Sequence, residues 1–192
     1  MASGTSAALY PSLLGAAWTE LDPKVQRMHG LGRAQGAGVF RVQRGRVLLA
    51  RLTTWLLGFP RAGEAVPTRL AVRSELRRGV SCEIWQRDFG GQELVSRQYP
   101  GRDGLLAERF GCLELCLRLR AQDGALLFQP AGSALALGAL RVRLPGMLSP
   151  RVNAEVAAGA GDRVQVSVRV EAPLAGLLLA YAGYLDMEEA QP

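Results

Sequence analysis

The chain changes rhythm near Val66: apolar residues recur at helical spacing before it and at alternate positions after it. Leu14, Trp18 and Leu21 follow Pro11, which a first helical turn tolerates because its missing N–H would have no partner there. Asp22-Pro23 ends that helix and begins a second through Val25 and Met28, which closes at Gly30. A glycine-rich stretch (Gly30, Gly32, Gly36, Gly38) then leads to a short strand over Val39–Gln43. Arg46–Leu57 predicts a further amphipathic helix. Its Leu48, Leu52 and Leu56 repeat every four residues, with Val47, Leu49 and Trp55 widening the stripe.

Beyond Val66 the alternation is that of strands with one buried and one wet face. Leu113, Leu115, Leu117 and Leu119 alternate with Glu114, Cys116, Arg118 and Arg120, and Val164, Val166, Val168 and Val170 with Gln165, Ser167 and Arg169. Leu140, Val142 and Leu144 show the same pattern, while Glu83, Trp85, Arg87 and Phe89 share the parity opposite to Ile84. Gly90-Gly91, Asp103-Gly104, Asp123-Gly124 and Gly161-Asp162 supply hairpin turns between these runs. The expected fold is α+β and mainly antiparallel β. Some eight or nine short strands form a curved meander or barrel-like sheet, with two or three N-terminal helices packed on it or plugging one end. One domain spans 1–192: a helical cap region over 9–60, an antiparallel region over 66–186, and a frayed tail over 187–192.

Composition narrows the function classes. The chain has 192 residues and is 48% hydrophobic with a net charge of +6, which excludes disorder over most of its length. Lys24 is the only lysine among 23 cations, and the arginines are spread from Arg27 to Arg169 among carboxylates, so no nucleic-acid footprint emerges. Cys82, Cys112 and Cys116 with the single His29 lack the inventory of a zinc site or a disulfide framework, so no metal is expected and a cytoplasmic location fits. Met1–Leu9 lacks the basic and apolar regions of a signal peptide, and the apolar runs Val47–Pro60 and Pro173–Leu185 are shorter than the ~20 residues of a spanning helix. Without a second lysine or a glycine fingerprint between strand and helix, the common nucleotide-binding motifs are missing and no cofactor is implied.

Several segments taken together carry a resemblance. They are Leu9-Tyr10-Pro11 with Leu13-Leu14-Gly15 and Trp18, His29-Gly30, Trp85-Gln86-Arg87-Asp88-Phe89-Gly90-Gly91, and Ser96-Arg97-Gln98. Glu108-Arg109-Phe110-Gly111, Pro173-Leu174-Ala175-Gly176-Leu177 and Tyr181-Ala182-Gly183-Tyr184 complete the set. From Leu9 to Leu185 the pattern resembles a bacterial family defined as a domain of unknown function, number 4166. The resemblance implies a stand-alone protein or a module attached to oxidoreductase-like units, and it implies no particular reaction.

Candidate chemistry centres on two titratable residues. His29 is either a general acid or base at a pocket mouth or a residue ending a helix beside Gly30. Glu108 shares a strand face with Leu106 and Phe110, so an interior position would raise its pKa and suit acid–base work. Arg97, on the preceding strand, is its expected cross-strand partner, and such a pair would serve structure or grip a polar group on a greasy ligand. Gln98, Trp85, Phe89, Phe110, Tyr181 and Tyr184 are the further candidate ligand contacts, the aromatic ones either core packing or pocket wall.

Two functions follow as expectations. The first is a barrel-like interior that binds a hydrophobic small molecule, as a carrier or as a cofactor-free isomerase or cyclase of secondary metabolism. The second is a non-catalytic module for a partner enzyme or a membrane surface, suggested by the Arg46–Leu57 helix with Arg44, Arg46 and Arg51 beside its stripe. The ordinary fate of that stripe is to pack on a sheet.

Overall fold

Alternating strands bury one face most completely by curling until the sheet has no edge, and this chain does so. The structure, a computed structural model, describes residues 8–30, 32–77, 79–138 and 140–188. Two α-helices, α1 (Leu9–Leu14) and α2 (Pro23–Gly30), flank a 3-10 turn over Gly15–Glu20. Strand β1 (Arg33–Arg44) leads to α3 (Leu48–Leu56), and an unbroken series of strands follows. These are β2 (Gly63–Arg77), β3 (Val80–Phe89), β4 (Glu93–Pro100), β5 (Leu106–Phe110) and β6 (Leu113–Gln122). The series ends with β7 (Ala125–Leu137), β8 (Leu140–Arg143), β9 (Arg151–Ala158), β10 (Arg163–Ala172) and β11 (Gly176–Met187).

All pairings are antiparallel, in the order β6-β5-β4-β3-β2-β1-β11-β10-β9-β7, and β7 pairs with β6 to close a ten-stranded barrel. The eleventh strand, β8, lies outside the circuit on the second half of β7, whose first half pairs with β9. The barrel-like sheet with N-terminal helices is thus observed, with more strands than the eight or nine expected. The expected short strand at Val39–Gln43 is part of the much longer β1, which forms the seam with β11. At that seam Gly183 faces Phe40, and a Cβ there would lie 2.8 Å from the Phe40 ring and 2.3 Å from the Val39 carbonyl oxygen, so only glycine fits. Met187, assigned to the tail, is the last residue of β11, and 189–192 lie outside the described residues.

The predicted parity puts Val164, Val166 and Val170, with Leu113, Leu115 and Leu117, in the buried core. The outer face departs from expectation at Glu114, which was placed on a wet surface and is buried. Strand β8 folds back beside it, so Arg141 Nε donates to Glu114 Oε1 at 2.7 Å and the Tyr99 hydroxyl donates to Oε2 at 2.6 Å. These bonds outweigh burial and hold the Glu114 carboxyl below the usual carboxylate range. Leu140 and Val142, expected together on a buried face that alternates with Arg141 and Arg143, are both exposed because β8 is an outlying strand.

The two ends of the barrel are built differently. At the end holding the β6–β7 hairpin, α1 and α2 form a plug that buries Leu9, Tyr10, Val25, Met28 and His29. The plug is pinned by Asp22 N–H donating to the Gly124 carbonyl at 2.9 Å and by Lys24 Nζ donating to the Gly159 carbonyl at 3.1 Å. The other end carries α3, the β10–β11 turn and the segment entering β9. None of the described helices is long and apolar enough to cross a membrane.

Candidate functional site

Ten strands enclose more cross-section than their inward side chains fill, and a cavity of about 90 Å³ remains inside, several times the room one water needs. It extends from the plug to a rim that includes Leu57, Phe59 and Pro150. Its walls are mostly aliphatic, with an aromatic cluster in which Phe40, Phe89 and Tyr181 meet edge to face at centroid distances of 5.1–6.2 Å.

Besides Thr68 on β2, whose hydroxyl donates to the Val66 carbonyl at 3.1 Å, polar groups enter this interior at two places. On β3, β4 and β5 the inward parity carries Arg87, Ser96 and Glu108. Arg87 donates from Nη1 to Ser96 Oγ at 2.9 Å and from Nη2 to Glu108 Oε1 at 3.2 Å. The Ser96 hydroxyl closes the triangle by donating to the same Oε1 at 2.6 Å. Both bonds to Glu108 use one carboxylate oxygen, and Oε2 makes no hydrogen bond among the described residues. Arg87 also lies over the Trp85 ring, 5.2 Å from its centroid. Burial alone would lower the Arg87 pKa, but Tyr181, Glu108 and Tyr10 outweigh it and leave it raised. The pair is therefore a fixed ion pair in an apolar wall, with side-chain exposures of 14% and 8%.

The second place is the plug. His29 is 2% exposed and packs among the rings of Tyr10, Trp85 and Phe128, with centroids 4.3, 5.2 and 6.1 Å away. Neither of its ring nitrogens has a hydrogen-bond partner among the described residues. Burial, reinforced by the positive charge of Arg87, lowers its pKa to about 3. The imidazole is consequently neutral near pH 7, with one nitrogen able to donate and the other to accept. Beside it the Tyr10 hydroxyl donates to Gln98 Oε1 at 2.5 Å, and burial pushes its pKa well above the ordinary value.

The structure thus brings His29, Glu108, Gln98, Trp85, Phe89, Phe110 and Tyr181 to one cavity. His29 lies at the plugged end of it rather than at a mouth, because α2 carries it inward. Arg97 and Tyr184 belong elsewhere. Arg97 has the outward parity of β4 and faces Arg109 across the β4–β5 ladder, so it cannot be the partner of Glu108. Arg87, two strands from Glu108, takes that role because its side chain is long enough to span β4 over the small Ser96. Tyr184 is 46% exposed on the outside of β11, opposite in parity to Tyr181.

Sequence reasoning did not single out Tyr10, Arg87, Ser96 or Glu83 as functional. For Arg87 and Glu83 the available signal was shared parity with Trp85 and Phe89; for Tyr10, on a helix, no strand parity exists. Glu83 is 1% exposed, accepts from Trp85 Nε1 at 3.0 Å on Oε2, and leaves Oε1 without a partner among the described residues. Burial raises its pKa to about 7, against a smaller lowering by the Trp85 bond.

No curated protein and no solved structure compared with the chain matches it. A family model described as a domain of unknown function, DUF4166, matches residues 21–185, which run from the loop before α2 into β11 and include nine strands of the barrel whole and most of the tenth. The chain therefore belongs to the DUF4166 family.

Proposed function

We propose that the barrel binds an apolar small molecule bearing one polar, oxygen-containing group, as a carrier or as a cofactor-free isomerase or cyclase. One observation carries this reading: in a largely apolar cavity, a satisfied Arg87–Ser96–Glu108 triangle and the unpartnered imidazole of His29 stand among few polar groups, the others being Thr68, Gln98 and the hydroxyls of Tyr10 and Tyr181. Few well-placed polar groups in a greasy enclosure fix a ligand's orientation, while the apolar wall supplies affinity. The hydrocarbon part would lie against Phe40, Phe89 and Tyr181, and the polar group between Glu108 and His29.

In the catalytic form of the reading, Glu108 Oε2 accepts a proton from the bound molecule and neutral His29 donates a hydrogen bond to the oxygen that gains charge. Holding a flexible chain in one fold supplies the rest of the rate. The test is titration with a hydrophobic fluorophore. The wild-type protein should show saturable binding at one site, and Ala154→Phe, which fills the cavity from β9, should abolish it. Arg87→Met/Glu108→Leu should keep the fluorophore bound while weakening competitors that carry a hydroxyl or carbonyl. Absence of saturable binding to the wild type, or full binding to Ala154→Phe, overturns the reading.

A further inference from the structure

Helix α3 is packed the wrong way round for a protein surrounded by water. Its inward face is small: Ala50 and Thr54 are fully buried, and the Arg44 guanidinium reaches the Thr54 hydroxyl. Gly45 lets the helix approach β11 closely, since a Cβ there would collide with the Leu177 carbonyl oxygen of β11 and lie 2.8 Å from Ala50 Cβ on the helix. The large residues point outward instead. Leu48 is 78% exposed, Trp55 72%, Leu56 69% and Leu52 52%, and positions 48, 52, 55 and 56 share one helical face. A helix whose wide apolar stripe is turned away from the protein needs a second apolar medium.

Charge identifies that medium. No carboxylate occurs between Pro23 and Gly63, whereas Arg46, Arg51 and Arg61 are exposed around α3. Arg51 lies at the flank of the stripe, where its stem can cover apolar surface while its head reaches outward. Trp55 is the residue type that favours a membrane interface. The same end of the barrel presents Leu174 in the β10–β11 turn and Met147 and Leu148 before β9, each more than half exposed. A second copy of the chain would bring Arg46 and Arg51 against their own images, which like-charge repulsion disfavours; an anionic lipid surface complements them.

We propose that α3, with Met147, Leu148 and Leu174 beside it, docks the barrel on an anionic lipid bilayer with the cavity rim facing the lipid. Leu57 and Phe59, which follow α3 directly, line the cavity, so docking places the opening where an apolar molecule can pass without crossing water. The docking stands independently of the ligand reading and adds to it a source for the ligand.

Flotation with vesicles tests it. Wild-type protein should float with vesicles of phosphatidylcholine mixed with phosphatidylglycerol, bind phosphatidylcholine alone more weakly, and be released by added salt. Leu52→Ser/Trp55→Ser should weaken binding about tenfold or more, and Arg46→Gln/Arg51→Gln about fivefold per arginine. Leu76→Ser/Val80→Ser, at the plugged end, should bind as wild type. Unchanged circular dichroism and fluorophore titration in the α3 variants would show that fold and cavity are intact. Failure of the wild type to float, equal flotation of Leu52→Ser/Trp55→Ser, or conversion of a dimer to a monomer by that variant overturns the proposal.

Discussion

The plugged end and the α3 end use helices of similar length for opposite purposes. In the plug, α1 and α2 turn Leu9, Tyr10, Val25, Met28 and His29 inward and bury them completely or nearly so. At the other end α3 turns Ala50 and Thr54 inward and its leucines and Trp55 outward. The first arrangement closes the barrel and orders a polar group inside it; the second contributes little apolar burial to folding. Stability should therefore reside at one end and be nearly independent of the largest side chains at the other.

Tyr10→Ala should show the largest effect, because it removes a fully buried ring and leaves Gln98 without its donor. A loss toward the upper end of ~3–5 kcal/mol in urea denaturation is expected. Arg87→Met comes next, at about 3 kcal/mol, because it strands the Glu108 charge in the apolar wall. Arg87→Met/Glu108→Leu should recover most of that loss; a double variant as unstable as the single one would show that the triangle is not a coupled pair.

A smaller effect concerns pH. The folded pKa of His29, about 3, lies below its ordinary value of 6.5, so its contribution is present above pH 6.5 and is lost as pH falls toward 3. The folded pKa of Glu83, about 7, lies above its ordinary value of 4.5, so its contribution is present below 4.5 and is lost as pH rises toward 7. Between pH 4.5 and 6.5 the two slopes oppose each other. Glu83→Gln should lose stability relative to wild type as pH falls through this window, by about 1.4 kcal/mol per pH unit. His29→Gln should gain relative to wild type by a similar slope. Parallel pH profiles for both variants and wild type would remove the titrations from the account. Smallest of all, Trp55→Ala on α3 should change stability by no more than about 0.5 kcal/mol.

Much of the barrel was legible because side chains on a strand have a period of two. Val164, Val166 and Val170, or Leu113, Leu115 and Leu117, can be buried together only on one face, and hairpin turns limit how neighbouring strands connect. The same rule placed Glu108 inside and separated Tyr181 from Tyr184. It also ruled against Arg97 as an interior partner, since Arg97 shares its face with Val95 and Tyr99, yet proximity along the hairpin made it the expected one. Parity names a face and no partner across several strands.

What the amino-acid order determined alone is local: where helices and strands run, which residues alternate, and that one histidine and a carboxylate between apolar neighbours were the chemical candidates. Tertiary structure decided the rest. Closure through β1–β11 and β6–β7 created the cavity, the width of β4 at Ser96 let Arg87 rather than Arg97 reach Glu108, and the folding back of β8 buried Glu114. It also decided which stripe of α3 meets the protein. Helical periodicity defines two faces but not their neighbours, and a close approach at Gly45 admits only the narrow one.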